Sequence, residues 1–526
     1  MLKKILLSPW TAIITLALVL SVRVADKPFV ESIRLRYFDT LIANKKPSNT
    51  DEMPINIVNI DEEALNKYGQ WPLPRSEYAK IVNDLYARNA GVVVLDVMFS
   101  EQDRMGGDNA LASVMTQHPV ILVNVPSDKT KNTPKKPGTA VINSDFQDRI
   151  VKYPGIIANI PVLEQYAFGV GTVNTLPEVD GVNRRIPLIT SVDGNLYPSL
   201  GMEILRVASG DTTTQIKLNE LGVEKMRIPA YGPITTDNLG RIWVDFSAPL
   251  NTSSITHLPK DFGGSIVIVG PTAAGIANPV PTAVGAVYPH YLQAQVTATM
   301  MNGVVITRPD YADGYELLFI ALSGIILLFL TRWTYVGLGS IFLFVGAAAY
   351  GSHWAFDNRL LLIDVTAPIA GIILVSLHAY GVKFVSEFLQ KQQIKKQFGT
   401  YLSPAMVEKL QKNPELLALG GESRELSIMF TDVRGFTTIS EHYGKDVQGL
   451  TKIMNRYMTA MTAKILENEG TLDKYIGDAQ MAFWNAPLDD SDHAKNAVRT
   501  ALAMLKDLEA FNEEISREGV PAFGMG

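Results

Sequence analysis

Residues 425–438 read Glu-Leu-Ser-Ile-Met-Phe-Thr-Asp-Val-Arg-Gly-Phe-Thr-Thr, and residues 472–487 read Leu-Asp-Lys-Tyr-Ile-Gly-Asp-Ala-Gln-Met-Ala-Phe-Trp-Asn-Ala-Pro. In each stretch an apolar, strand-like run lies next to an aspartate, Asp432 or Asp478, and a glycine is close by. Two aspartates at the ends of neighbouring strands can hold divalent ions against a polyphosphate. Gly435 lets backbone amides approach phosphate oxygens without a side chain in the way. The two motifs therefore predict a site for divalent ions and a polyphosphate.

Together, and in this order, the motifs resemble the catalytic domain of the class III adenylate and guanylate cyclases. The run around Asp432 is close to the first metal motif of that family, and Lys-Tyr-Ile-Gly-Asp, which ends at Asp478, is close to the second. The resemblance covers residues 421–526 and implies a ferredoxin-like α+β fold for them. The alternative is such a domain with two solvent-exposed loop aspartates, because Asp and Gly are common in turns. The presence of both motifs disfavours it.

The resemblance also implies how the site binds its substrate. Asp432 and Asp478 would ligate two divalent ions, Mg²⁺ or Mn²⁺, since both ions suit an all-oxygen site. The backbone carbonyl of Val433 would add an oxygen, and the amides around Gly435 and Phe436 would cradle the phosphates. The implied reaction is attack of the ribose 3′-hydroxyl of ATP on its own α-phosphorus, which gives cyclic AMP and pyrophosphate.

Lys474, four residues before the second aspartate, is the catalytic residue that the resemblance assigns to choice of the purine. Its ammonium group can donate to an adenine acceptor such as N1, whereas guanine carries an N1–H, and guanylate cyclases typically have glutamate here. In the family this lysine acts with metal ligands of the other subunit, so a head-to-tail homodimer is implied. The alternative is a surface lysine on a strand edge.

The sequence ends at Pro521-Ala-Phe-Gly-Met-Gly526, where the resemblance predicts that a further strand begins. The later motifs of the family are a second purine-selecting residue and then an asparagine and an arginine that orient the ribose and stabilise the transition state. The 526 residues do not contain them. We therefore expect an incomplete catalytic domain, and expect this chain by itself to be inactive.

The length and composition of the chain limit the kinds of domain and site that it can contain. The chain has 526 residues, too many for one ordinary domain, and a formal net charge of −6, which gives no basic bias towards nucleic acid. Cysteine is absent, which excludes disulfides, thiolate zinc sites and a cysteine nucleophile.

Four apolar windows predict membrane helices, because each approaches the roughly 20 residues that cross a bilayer. The first lies within an uncleaved signal anchor, residues 1–27, and the other three form a cluster at residues 313–383. Asp364 and His378 fall in the last window near its predicted ends, which favours interfacial positions. The windows are Ile5–Val24, Tyr315–Leu330, Tyr335–Phe356 and Leu360–Val382.

Basic residues orient these helices. Lys3 and Lys4 precede the first, Arg332 lies between the second and third, and Lys383 follows the fourth. The positive-inside rule then predicts a multi-pass protein of a bacterial inner (plasma) membrane, with the amino terminus in the cytoplasm. Residues 28–312 would be extracytoplasmic and the catalytic motifs cytoplasmic.

Residues 28–312 alternate apolar strand-like runs with helical segments, which predicts an α/β layered domain. Several short sequence segments resemble the second type of CHASE sensor domain, an extracytoplasmic module of bacterial cyclases and kinases. Asp61, Asp96, Glu101 and Arg184 could line a ligand site at strand ends, or could simply hold the fold together. The segments that resemble this domain are Asn59-Ile-Asp-Glu62, Gly69-Gln-Trp-Pro-Leu-Pro-Arg75, Val94-Leu-Asp-Val-Met-Phe-Ser-Glu101, Asp180-Gly-Val-Asn-Arg-Arg185 and Tyr197-Pro-Ser-Leu200.

Residues 384–420 join the membrane cluster to the catalytic motifs. They predict a polar helix leaving the bilayer and then a second helix with Ser403 as N-cap and Pro404 at its first position. The segment either passes a signal into a catalytic dimer or is a passive tether.

The sequence leaves four functional hypotheses. The first is a membrane receptor adenylate cyclase that responds to an unknown signal, and the second is an inactive receptor whose cyclase-like domain binds nucleotide or mediates dimerisation. A transporter or channel is disfavoured because intramembrane charge is sparse. A diguanylate cyclase or histidine kinase is disfavoured because the sequence has no Gly-Gly-Asp/Glu-Glu-Phe run and no kinase boxes.

Overall fold

The computed structural model describes residues 8–47, 53–143, 148–398 and 423–526. The chain divides into two compact units, Pro9–Tyr380 and Gly381–Gly526, each of which is considered by itself. The predicted helix start at Ser403 and Pro404 lies outside the described residues.

The first unit contains an α/β domain and apolar helices. Its helices are α1 (Ala12–Ala25), α2 (Pro28–Ala43), α3 (Glu62–Tyr68), α4 (Arg75–Ala87), α5 (Asp108–Gln117), α6 (Pro161–Tyr166), α7 (Leu200–Ala208), α8 (Pro289–Met301), α9 (Ala312–Leu330), α10 (Thr334–Arg359) and α11 (Thr366–Phe398), the last of which continues into the second unit. Its strands are β1 (Ile55–Ile60), β2 (Val92–Leu95), β3 (Val120–Ser127), β4 (Thr139–Ile142), β5 (Lys152–Tyr153), β6 (Gly155–Ile157), β7 (Gly169–Thr172), β8 (Arg185–Pro187), β9 (Ile189–Val192), β10 (Asn195–Pro198), β11 (Thr214–Asn219), β12 (Gly222–Ile228), β13 (Gly232–Ile234), β14 (Arg241–Trp243), β15 (Asn251–Ser254), β16 (Ile266–Pro271), β17 (Val280–Thr282) and β18 (Gly285–Val287).

A seven-stranded sheet forms the centre of the α/β domain, in the order β15-β1-β16-β2-β3-β6, with β7 also paired to β3. All pairs are parallel except β3 with β6. Ile55 and Ile57 face a core formed with α7 and α8, whereas Val58 and Ile60 face a core formed with α4 and α5. Since both faces are covered, the strands are nearly continuous apolar runs.

The sequence of residues 91–99 suggests a strand over its full length, but in the structure β2 is only Val92–Leu95. Its remaining residues leave the sheet because other partners take their backbone groups. The Phe99 amide donates to Asn159 Oδ1 at 3.0 Å, and the Phe99 carbonyl accepts from the Ile160 amide at 2.8 Å.

Smaller sheets complete the domain around a second set of buried aliphatic side chains, which includes Ile186, Leu218 and Val296. These sheets have the orders β10-β9-β5, β13-β12-β11-β4, β14-β8 and β17-β18.

Three helices in the described part of the chain are long and apolar enough to cross a membrane, whereas the sequence predicted four. They are α9, α10 and the Thr366–Gln392 part of α11. The first predicted window gives only a shorter apolar helix, Pro9–Ala25, and residues 1–7 lie outside the described residues. The chain leaves the helix at Asp26, which adopts a left-handed conformation with φ 38°. The 14 residues of α1 span about 21 Å, less than the ~30 Å of a hydrocarbon core.

Helix α1 nevertheless packs along the membrane helices. Leu16 lies against Gly324, where an added Cβ would come within 2.6 Å of the leucine side chain, so a larger residue there would force Leu16 to shift. Thr15 Oγ1 lies 2.7 Å from Nδ1 of His378, and Thr11 Oγ1 lies 3.1 Å from Nε2. His378 is therefore near the middle of the span and not at its end, contrary to the sequence-based expectation.

The second unit is an α+β domain. Beyond the end of α11 it consists of β19 (Ser427–Thr431), β20 (Val433–Arg434), α12 (Phe436–Tyr443), α13 (Val447–Glu467), β21 (Thr471–Ile476), β22 (Ala479–Trp484), α14 (His493–Ser516) and β23 (Gly524–Met525). The antiparallel order is β19-β22-β21, and β23 pairs with β20, which continues β19. The last strand thus lies beside the first, which is a ferredoxin-like arrangement. Met461, Trp484 and Met504 belong to its core.

Candidate active site

The strand register places the two motif aspartates at one end of the β19-β22-β21 sheet. Thr431, the last residue of β19, pairs with Gln480 of β22, and Asp432 follows it directly. Asp478 lies in the two-residue turn between β21 and β22, because Ile476 pairs with Ala479. Neighbouring strands are about 4.8 Å apart, so the two carboxylates are within reach of one cluster of ions.

The backbone around Asp432 is fixed while its side chain is exposed. The Asp432 amide donates to the Gly526 carbonyl at 2.9 Å, and the Gly526 amide donates back to the Asp432 carbonyl at 2.9 Å. Val433 is buried and pairs with Met525. These contacts hold the position from which a carboxylate and a main-chain oxygen would approach an ion.

Gly435 forms the entry to α12 with φ +80°, a left-handed conformation that favours glycine. Phe436 is the first residue of that helix, so its amide belongs to the helix N-terminus, where backbone N–H groups favour an anion. An added Cβ at Gly435 would meet no atom within 4 Å, so open space adjoins this turn. The geometry suits the phosphate-cradling role that the resemblance implies.

Lys474 lies on β21, four residues before Asp478. Its side chain is 60% exposed, and its Nζ lies 3.1 Å from Asp473 Oδ2. The sequence interpretation of Lys474 as a purine-selecting residue stays a prediction.

The donor set fits a hard divalent cation. Among the described residues no group of three or more His, Cys, Asp or Glu side chains gathers to hold a metal. Asp432 and Asp478 form a smaller set of two carboxylates, and oxygen ligands of this type suit Mg²⁺ and Mn²⁺. Such a set leaves most coordination positions to waters and substrate phosphates, as is usual for Mg²⁺.

The four candidate residues of the α/β domain occupy different environments. Asp61 follows β1 and caps α3, since its Oδ1 accepts the Ala64 amide at 2.9 Å. Asp96 follows β2, and desolvation raises the pKa of its carboxyl to about 7. Glu101 is exposed and accepts from Lys131 at 2.9 Å.

Arg184, the fourth candidate, is fully enclosed by two carboxylates. It donates through Nε and Nη2 to Asp39 at 2.6 and 2.7 Å, and through Nη1 and Nη2 to Asp180 at 2.8 Å each. The bond from Arg184 also lowers the pKa of the Asp180 carboxyl. Because Asp39 belongs to α2, this cluster joins α2 to the α/β domain, and the contacts of Arg184 are structural.

Comparison with known proteins accounts for both parts of the chain. A family model described as "CHASE2 domain" matches residues 13–330, which is more than half of the sequence. The chain belongs to the CHASE2 family. A second model, "Adenylate and Guanylate cyclase catalytic domain", matches residues 421–521. The two resemblances drawn from the motifs are thereby confirmed: a CHASE2 sensor domain and a class III cyclase domain occur in one chain.

Individual relatives resemble a part of the chain. "Adenylate cyclase 1" of Rhizobium meliloti is 30% identical over 167 residues, which are 32% of this chain and 24% of that protein. "Adenylate cyclase" of Anabaena cylindrica is 29% identical over 133 residues, 24% of each chain. The crystal structure of the adenylyl cyclase CyaB from P. aeruginosa is 31% identical with a TM-score of 0.18, over 19% of this chain and 53% of that one. The CHASE2 protein spans about a quarter of the length of the curated relatives it matches.

One buried polar side chain of the cyclase domain lies outside the two sequence motifs. Tyr457 of α13 is 1% exposed and stacks on Phe523 with ring centroids 5.1 Å apart. Its hydroxyl has no hydrogen-bond partner among the described residues. Desolvation, with smaller contributions from the charges of Asp432 and Asp478, raises its pKa to about 12. In the sequence it resembles any apolar residue at helical spacing.

Proposed function

We propose that this CHASE2 protein is a membrane receptor adenylate cyclase that converts ATP to 3′,5′-cyclic AMP and pyrophosphate under the control of its sensor domain. The observation that carries the proposal is the convergence of Asp432 and Asp478 at one sheet end, with Lys474 on the strand that leads to the second aspartate. The names of its relatives support the reaction class.

In this proposal, each side chain has a separate task. Two Mg²⁺ or Mn²⁺ ions, when bound, would supply the positive charge that acidifies the ribose 3′-hydroxyl and clamps the triphosphate. Asp432 and Asp478 would hold that charge at the sheet end, with the Val433 carbonyl beside them. The amides at Gly435 and Phe436 would orient the phosphates, because a helix N-terminus presents unpaired N–H groups to an anion.

The exposure of Lys474 supports a site shared between two copies of the chain. A lysine that chooses between purines must meet the base in a pocket from which water is excluded, since only there is an unpaired donor costly. The Lys474 side chain is 60% exposed in one copy, so a single copy does not exclude water from it. We therefore propose that a second copy supplies it in a homodimer.

Cyclic AMP formation in membranes of a host that lacks its own adenylate cyclase tests the proposal. We expect formation of cyclic AMP from ATP, dependent on Mg²⁺ or Mn²⁺, from the chain extended by the later cyclase motifs, and none from residues 1–526 alone. Nucleotide binding without turnover would instead favour a receptor whose cyclase-like domain has no catalytic role.

Lys474→Ala should lower kcat/KM for ATP by about 10- to 100-fold, because the unpaired adenine acceptor costs about 1–3 kcal/mol in a desolvated site. Kinetics with ATP and GTP measure the effect, with metal–triphosphate binding largely retained. Lys495→Ala, which removes an exposed lysine from α14, is the matched control and should leave both substrates unchanged. Identical kinetics for Lys474→Ala and the native protein would exclude this role.

We also propose that the α/β domain is extracytoplasmic and the cyclase domain cytoplasmic, in an inner (plasma) membrane. Arg332 lies in the turn between α9 and α10, whereas Lys383 and Lys391 lie in the last part of α11. If α9, α10 and α11 cross the membrane one after another, the α9–α10 turn and the end of α11 lie on the same side. The positive-inside rule assigns the side with these basic residues to the cytoplasm.

Cysteine accessibility tests this orientation on a background with no native cysteine. Leu221, 71% exposed in the turn between β11 and β12, and Ser423, exposed before β19, are suitable positions. Leu221→Cys should react with an impermeant maleimide in intact cells whose outer membrane, if present, is permeabilised. Ser423→Cys should react only after lysis. The opposite pattern would reverse the topology.

A further inference from the structure

Helix α2, the first helix after α1, has one buried face and one exposed face. Leu35 and Phe38 are buried in a cluster that also contains Phe356 of α10. On the other face, Phe29 is 75% exposed and Ile33 is 41% exposed. Residues spaced by four, three and four positions share one side of a helix. The exposed stripe of α2 consists of Phe29, Ile33, Arg36 and Thr40.

The beginning of α2 lies at the level where the membrane helices end. Only Asp26 and Lys27 separate α2 from α1. Arg23, three residues before Asp26, donates through Nη2 to Glu316 Oε2 at 2.7 Å. Glu316 is four residues from the beginning of α9, one of the three membrane helices. The first turn of α2 is therefore close to the first turns of α9.

The middle of α2 is held at a similar level by α10. The hydroxyl of Tyr37 donates to Ser352 Oγ at 2.8 Å. Ser352 is seven residues before the end of α10, which is about 10 Å along the helix. Trp354 of α10 and Tyr315 of α9 are exposed near the same helix ends, and Trp and Tyr concentrate at membrane–water interfaces. Since both its start and its middle are held at this level, α2 runs along the bilayer surface over residues 28–37.

The exposed stripe continues an apolar surface of α1. Leu18, Val22 and Val24 of α1 are exposed, and Phe29 and Ile33 follow them along the chain. Helix α1 packs along the membrane helices, so its exposed apolar side chains face lipid. The apolar part of the stripe therefore adjoins a lipid-facing surface.

Two basic side chains accompany these apolar residues. Lys27 and Arg36 are exposed, and neither has a side-chain hydrogen bond or an ion pair within the described part of the chain. Of the two acidic residues of α2, Asp39 is bound by Arg184 through two hydrogen bonds. Glu31 lies on the other side of the helix from Phe29, because two residues turn an α-helix by about 200°. The exposed side of α2 therefore has positive charges that no carboxylate neutralises.

We propose that α2 is an interfacial helix that binds anionic phospholipids in the leaflet on the side of the α/β domain. Phe29 and Ile33 enter the boundary between head groups and acyl chains, as the apolar face of a helix in the membrane surface does. Lys27 and Arg36 extend from this level to the phosphates, because long basic side chains can place their charged ends in the polar layer. This role depends on the three membrane helices and not on the cyclase reaction.

The charges favour a lipid over a second copy of the chain as the occupant of the stripe. A symmetric contact between two copies would use the same surface twice, and would therefore bring Arg36 of each copy towards the other. An anionic head group instead supplies the missing negative charge. A zwitterionic head group carries its own ammonium group, so the stripe should prefer phosphatidylglycerol to phosphatidylcholine.

Electron paramagnetic resonance tests whether the stripe lies in the bilayer. A nitroxide is attached to Ile33→Cys in the whole protein, which has no native cysteine, in nanodiscs that contain phosphatidylglycerol and phosphatidylcholine. We expect oxygen, which concentrates in the bilayer, to relax this label more than a water-soluble nickel chelate does. Leu221→Cys, in the exposed turn between β11 and β12, is the control and should show the reverse order.

Two results of this measurement would overturn the proposal. Greater relaxation of the label at position 33 by the nickel chelate would place the stripe in water. Protection from both reagents, together with spin–spin broadening between two labelled copies, would identify a second copy as the occupant.

Photo-crosslinking tests the preference for an anionic lipid. Phosphatidylglycerol and phosphatidylcholine carry the same diazirine near the head group, and mass spectrometry measures the adducts on peptides of α2. We expect phosphatidylglycerol to label α2 at least about fivefold more strongly at equal amounts, since one basic residue at the membrane surface contributes about that factor. Equal labelling of the native protein by the two lipids would refute the proposal.

Variants assign this preference to the two basic residues. The double variant Lys27→Gln with Arg36→Gln should label about equally with both lipids, and its fold should be retained because both side chains are exposed. Lys225→Gln, which removes an exposed lysine from β12, is the matched control and should keep the native ratio. A native ratio in the double variant would show that Lys27 and Arg36 do not bind the head groups and would contradict the proposal.

Discussion

In the chain extended by the later cyclase motifs, Asp432→Asn and Asp478→Asn are each expected to lower cyclic AMP formation by about 10²–10³-fold or more, because each removes a negative charge that would hold a divalent ion against the triphosphate. The backbone of Asp432 is held by the pair of hydrogen bonds to Gly526, and that of Asp478 by the β21–β22 turn. An asparagine should therefore keep the local fold and lose only the charge. Cyclic AMP measured by mass spectrometry over a range of Mg²⁺ and Mn²⁺ concentrations gives the rates.

Binding of Mn²⁺ followed by electron paramagnetic resonance provides a readout that does not depend on turnover. Each substitution should weaken Mn²⁺ binding in the presence of a non-reactive ATP analogue. Asp489→Asn is the matched control, since Asp489 is 94% exposed and pairs with Arg424, and it should alter neither measurement. Near-normal turnover and Mn²⁺ affinity in both motif variants would refute the metal assignment.

Arg184→Ala is expected to destabilise the packing of α2 on the α/β domain by about 3–5 kcal/mol, the usual cost of removing one partner from a buried ion pair. The substitution would leave Asp39 and Asp180 close together without a counter-charge. Both carboxylates are partly buried, with side chains 20% and 9% exposed. Hydrogen exchange of peptides from residues 28–47, measured on the purified protein, should become faster because α2 opens more often.

Lys80→Ala serves as the control for this effect. Lys80 is 71% exposed and pairs with Glu77 one helical turn away, a surface contact worth only about 0–1 kcal/mol. Combining Arg184→Ala with Asp39→Asn and Asp180→Asn should restore part of the protection, since the uncompensated charges are removed as well. Unchanged exchange in Arg184→Ala would show that α2 is held by its apolar contacts alone.

Local patterns in the sequence predicted much of this structure. β1 begins and ends at buried isoleucines, Ile55 and Ile60, because four of its six residues are aliphatic and fully buried. Asp432 and Asp478 were recognisable because each lies inside a short motif. Their convergence then follows from the pairing of adjacent strands.

Features that depend on distant residues were not predictable in the same way. Arg23 meets Glu316 across 293 positions of sequence, and no spacing rule connects them. The partner of Arg184 could not be read from the sequence, because Asp39 lies in a helix 145 positions earlier. Three helices, and not the predicted four, are long and apolar enough to cross a membrane among the described residues, because an apolar window does not show where a helix ends. Only the conformation of Asp26 fixes the end of α1.

The position of β1 in the central sheet has a consequence for biosynthesis. Its two neighbours, β15 and β16, begin at Asn251 and Ile266, about 200 residues later in the chain. At about 5–20 residues per second, the ribosome needs about 10–40 s after making β1 to complete both partners. During that time the backbone groups of β1 have no neighbouring strand to pair with, and its isoleucine side chains remain exposed. Long-range pairing of this kind is slow even afterwards. The nascent domain should therefore depend on chaperones until β16 has been made, and truncations before residue 271 should aggregate rather than fold.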